Sequence, residues 1–107
     1  MATSQAEGSQ TATVTTEHTL TTITAAGTYV LTVDMNALAL GDYLTLRGKV
    51  KVRSTGTTRT IYTGTYANVQ DNLVSASIPI PTVSECVFTL EQTAGTGRAF
   101  PWEVVAL

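Results

Sequence analysis

Residues 43–53, YLTLRGKVKVR, alternate with a period of two over their whole length. Leu44, Leu46, Gly48, Val50 and Val52 fall on one side; Tyr43, Thr45, Arg47, Lys49, Lys51 and Arg53 fall on the other. Successive side chains of a strand point to opposite faces, whereas a helix would wind both sets around its circumference. The pattern therefore predicts a long antiparallel strand, with one face on a core and the other in water or against a partner.

Residues on either side extend the β reading. Residues 28–34 (TYVLTVD) place Tyr29, Leu31 and Val33 on one face, and residues 85–92 (ECVFTLEQ) turn Cys86, Phe88 and Leu90 inward. Residues 98–107 are expected to form the last strand, with Phe100, Trp102, Val104 and Ala106 on one side and Pro101 marking an edge or a ladder start. A Thr-rich strand is expected within 11–24, broken near Glu17 and His18. Residues 57–66 should return antiparallel after a hairpin loop at 54–56. For that strand neither face is clearly apolar. Residues 73–78 are a further strand candidate, with 78–82 at an edge or in a loop because of Pro79 and Pro81. Gly27 and the Gly41-Asp42 pair read as turns. Residues 35–42 are the one place for a helical turn, and 93–97 (TAGTG) read as a hairpin loop. Abundant Thr, with recurrent Val and Tyr, suits pleated surfaces better than helices.

About seven short strands without a helix predict an antiparallel β-sandwich, with a small β-barrel as the alternative. The expected core joins Leu31, Leu44, Leu46, Val50, Phe88, Leu90, Phe100 and Trp102. The 107 residues allow one domain, expected at 11–107. The small, polar, aperiodic residues 1–10 are expected to form a flexible arm.

Charge sharpens the functional reading. Only 13% of residues are charged and the net charge is −2. Five of the six basic residues (Arg47, Lys49, Lys51, Arg53 and Arg59) nevertheless lie within thirteen positions. Arg47, Lys49, Lys51 and Arg53 form a row roughly 6–7 Å apart on the face opposite the apolar residues. A row of like charges repels itself, and it is expected to dock on an acidic surface. Nucleic acid fits less well, because single-strand binders interleave cations with stacking aromatics and only Tyr43 and Tyr62 are available.

No catalytic constellation is expected. His18, the only histidine, has no nucleophile or metal-ligand partner at a motif spacing. Asp34, Asp42, Asp71, Glu85, Glu91 and Glu103 read as solvating charges at strand ends or outer faces. The two glycines of TAGTGRAFPW lack the ending and the following helix of a phosphate loop. Cys86 reads as a small buried hydrophobe. No cofactor and no metal are implied. No basic-then-apolar leader is visible at the start, and no apolar run approaches the ~20 residues of a spanning helix.

Residues 91–107 (EQTAGTGRAFPWEVVAL), together with TYVLTVDMNALALGDYLTLRGKVKV, resemble small structural proteins of tailed bacteriophages. The similarity covers roughly residues 19–107 and is most specific at the C-terminal stretch. It implies a non-enzymatic virion component of the head-decoration or cement type, with tail or fibre-base proteins built on similar sandwiches. The implied partners are the major capsid protein or other virion proteins and further copies of the chain in a symmetric cluster. The implied location is the virion, reached from the host cytoplasm during assembly. A nucleic-acid-binding β-barrel is the alternative from another class.

Overall fold

A computed structural model describes residues 2–107 and contains nine strands and no helix among them. These are β1 (Thr3–Thr11), β2 (Glu17–Ile23), β3 (Gly27–Asp34), β4 (Tyr43–Lys51), β5 (Thr58–Ala67), β6 (Val74–Ala76), β7 (Ile80–Thr82), β8 (Glu85–Ala94) and β9 (Ala99–Ala106). They form two antiparallel sheets packed face to face, a β-sandwich. One sheet has the order β1-β9-β3-β6, with β7 also pairing β3; the other has the order β2-β8-β4-β5.

The alternation read from the sequence is what packs the two layers. Leu44 and Leu46 of β4, Cys86, Phe88 and Leu90 of β8, Tyr29, Leu31 and Val33 of β3, and Phe100 and Val104 of β9 are all buried in one cluster. Val50 and Trp102, expected within this buried cluster, are instead half-buried residues packed against it. In β5, Tyr62 and Tyr66 pack against the core, so the inward face is the one that also carries Gly64. Cys86 is fully buried, and burial pushes its thiol up to about 11. A thiol reagent at pH 8 should therefore label the folded protein about a hundredfold more slowly than the urea-unfolded chain. Equal rates in the two states would mean that β8 opens freely.

Several expectations need correction. The expected arm at 1–10 is strand β1 from Thr3 onward, paired with β9 from Thr3↔Ala106 to Thr11↔Ala99; Met1 lies outside the described residues. An edge strand exposed on most of its surface needs no apolar alternation, and the inward positions of β1 are the small or polar Ala6, Gly8 and Gln10. The aperiodicity of the segment is thus a property of its place in the sheet. Residues 35–42 form two tight turns, closed by Leu38 N–H to the Met35 carbonyl (3.1 Å) and Asp42 N–H to the Ala39 carbonyl (3.0 Å). Residues 93–97 are not a hairpin loop: β8 and β9 belong to different sheets, and the segment is a corner between layers. Pro101 lies in β9 between two strands, but the β9–β3 register ends at Trp102↔Val33. Its missing donor therefore falls where β9 has a neighbour on the β1 side alone.

Candidate docking surface

The outer face of the β2-β8-β4-β5 sheet carries the basic row, and the register decides what each cation meets. Glu17 of β2 lies across from Glu91 of β8, and Arg47 of β4 lies across from Thr89 of β8. Arg47 Nη1 therefore donates to both Glu17 Oε2 (3.2 Å) and Glu91 Oε1 (2.9 Å). Lys49 Nζ lies 3.1 Å from the same Glu17 oxygen. Thr89 Oγ1 donates to it as well, at 2.7 Å. That Thr89 hydrogen bond leads the contributions that hold the Glu17 pKa below the usual carboxylate value, with Lys49 and Arg47 adding to it against partial burial. The Arg47 pKa is raised, chiefly by its hydrogen bond to Glu91.

Two cations thus face two carboxylates in a half-exposed network that is neutral as a whole. Pairs of this kind stabilise by about 1 kcal/mol or less each. The expectation of four outward, uncompensated cations is corrected for Arg47 and Lys49: their partners lie 30 to 44 residues away in sequence, beyond the reach of local pattern.

Lys51 and Arg53 have no ion pair among the described residues, nor has Arg59. Lys51 ends β4, Arg53 lies in the following loop, and Arg59 stands across from Val50 at the start of β5. Glu85, the register neighbour of Lys51 on β8, accepts a hydrogen bond from Thr58 Oγ1 at 2.6 Å. The Gly56 N–H closes the loop onto the Arg53 carbonyl at 2.8 Å. Between Lys51 and Arg53, Val52 is 83% exposed. The candidate site is therefore the β4–β5 hairpin end, which carries three cations and an exposed aliphatic side chain, rather than the full strand row.

The aromatics do not join it. Tyr62 packs against the core, its hydroxyl pushed up to about 12 by burial and by hydrogen bonding with Tyr66, and Tyr43 sits at the opposite end of β4.

A second polar centre was not foreseen. Asp42, expected as a solvating charge, is 1% exposed. Its carboxylate accepts from Ala39 N–H (3.0 Å), Thr96 N–H (3.0 Å) and Arg98 Nε–H (2.9 Å). Burial alone would raise its pKa; these donors outweigh burial and hold it below the ordinary value. Gln92, also buried, donates to the Ala94 and Thr96 carbonyls and accepts from Arg98 N–H at 3.1 Å. The Gly-Asp turn and the QTAGTGR run therefore meet across 54 residues and form a single bracket holding the corner between sheets. Its polar groups are consumed by the chain itself. The nitrogen Nε2 of His18 accepts from Thr13 N–H at 3.0 Å and ties down the loop before β2.

No group of three or more His, Cys, Asp or Glu residues is placed to hold a metal among the described residues. None of them forms a helix long and apolar enough to cross a membrane.

No family model matches the chain, and no curated protein matches it. One similar solved chain comes from the structure of infectious bursal disease virus Gx strain, with 16% identity and a TM-score of 0.46. The match covers 100% of this chain and 32% of the other, so the protein spans about a third of that chain's length.

Proposed function

We propose that the protein is a non-enzymatic structural component of a tailed-bacteriophage virion. It acts as a decoration or cement protein that binds the outer surface of the head, stabilises the shell and is recruited from the host cytoplasm during assembly. The observation that carries this reading is the β4–β5 hairpin end. Lys51, Arg53 and Arg59 have no ion pair among the described residues, and Val52, between the first two, is exposed. Such a tip suits an acidic protein surface, where the cations set orientation and encounter rate and the aliphatic group adds buried area. The phage setting is supported by the resemblance of residues 28–52 and 91–107 to tailed-phage structural proteins. The bracket around Asp42 and Gln92 gives those two stretches a joint role in holding the sandwich.

The test uses particles from the same phage that lack this protein. Lys51→Gln with Arg53→Gln should reduce occupancy by about tenfold or more at physiological salt, with the melting temperature unchanged. Wild-type binding should weaken as salt rises, because exposed charges are screened over about 8 Å at that ionic strength. Lys49 is left intact in this design, since its reversal would place a second carboxylate against that of Glu17. Full occupancy by the double variant would overturn the docking role.

A further inference from the structure

Charge is segregated between the two sheets. None of the five strands of the β1-β9-β3-β6/β7 sheet carries a Lys, Arg or His residue. Its outer face holds a shallow depression lined by Glu7, Thr32, Asp34, Val74, Pro101 and Glu103. Glu7 lies directly across from Glu103 in the β1–β9 register, an arrangement of like charges that destabilises a sheet unless a cation covers it. Neither carboxylate has an ion pair among the described residues. Beside them, Val74 is 63% exposed across from Asp34.

The depression and the basic hairpin cannot neutralise each other within one chain. Asp34 leads through the 35–42 turns into the start of β4, while the hairpin follows the end of β4, eight residues or roughly 26 Å further along. They therefore sit at opposite ends, on opposite layers, of a molecule 41 Å long.

We propose that the hairpin end of one copy docks into the acidic depression of a second copy, so that copies associate head to tail. Lys51 and Arg53 meet the carboxylates of Glu7 and Glu103, and Val52 covers the apolar strip of Val74 and Pro101. The two surfaces in contact are different, so the association is heterologous: it closes as a ring if the rotation between neighbours allows, and otherwise extends as a row. This rests on the reading of the hairpin end as a docking element and gives it an alternative acidic surface, offered by a neighbouring copy.

The test is sedimentation equilibrium of the purified full chain at up to about 1 mM, in about 20 mM and about 300 mM salt, where screening differs severalfold in range. Association is expected at low salt and should weaken at least tenfold at high salt. Glu7→Lys with Glu103→Lys should abolish it, as should Lys51→Glu with Arg53→Glu. Mixing those two variants should restore it, since each then offers the surface the other needs. A wild-type chain that stays monomeric at low salt, or a mixture that does not recover, overturns the proposal. Binding of the Glu7→Lys/Glu103→Lys variant to particles separates the two readings. Full occupancy alongside lost self-association keeps the hairpin as a shell-docking element with the copy contact removed. Wild-type self-association by that variant, whatever its occupancy, overturns head-to-tail docking.

Discussion

Replacing Asp42 with alanine should lower the unfolding free energy by about 3 kcal/mol. The side chain is almost fully buried and serves three donors on three segments: the 35–42 turns, the 93–97 corner and the entry to β9. Alanine leaves the Ala39 and Thr96 N–H groups without their acceptor and strands the Arg98 guanidinium. The last loss is moderated because about a third of the Arg98 side chain reaches solvent. Urea titration measures the change; a loss below 1 kcal/mol would show that water replaces the carboxylate without penalty. Acid supplies a second readout. The Asp42 pKa is lowered from its ordinary 3.8, so the folded chain holds this proton less readily than the unfolded one. Its stabilising contribution is complete above the ordinary value and is lost as pH falls through the folded value. The Asp42→Asn variant should therefore show a flatter loss of stability below pH 4.

Gly95→Ala should cost about 4 kcal/mol, more than the typical core truncation of a methyl group. Gly95 has φ +95°, a conformation that L side chains resist. A Cβ there would also press on the Asp42 carboxylate and lie 2.7 Å from the Asp42 Cα, so neither partner can step aside. The neighbouring Gly97 is held by a related constraint, since its Cβ would lie 2.5 Å from the Ala12 carbonyl oxygen. Gly95→Ala and Asp42→Ala together should cost less than the sum of the two by about 1 kcal/mol or more, because the single variants damage the same contact. Strict additivity would place the two residues in separate structural units.

Strands β4 and β8 were legible in the sequence because their apolar residues fall on the core face, although Thr45 and Thr89 on the opposite face are buried as well. β1 was not legible because an edge strand with small or polar inward residues writes little burial into its sequence; only its register with β9 makes it a strand. The basic row illustrates a different boundary. Alternation correctly placed Arg47, Lys49 and Lys51 on the outer face, but it carries no information on which residues of β2 and β8 stand alongside. Thus the pairing of Arg47 and Lys49 with Glu17 and Glu91 emerged only from the assembled sheet. Asp42 and the TAGTG run were singled out for their residue types. What unites them is a hydrogen-bond set spanning 54 residues, invisible to any short window on the sequence.

The pairing of β1 with β9 also sets a clock. During synthesis β1 emerges first, yet the strand beside it is the last of the nine to be made, and β3 waits for the same strand. For most of translation the β1-β9-β3 layer is missing its middle, while β4 and β5 already have each other through a short hairpin. Sheets closed by such distant pairings fold in milliseconds to seconds rather than microseconds. Until β9 arrives, the polar, Gly-containing composition of β1 keeps an unpaired nine-residue edge from recruiting the wrong neighbour.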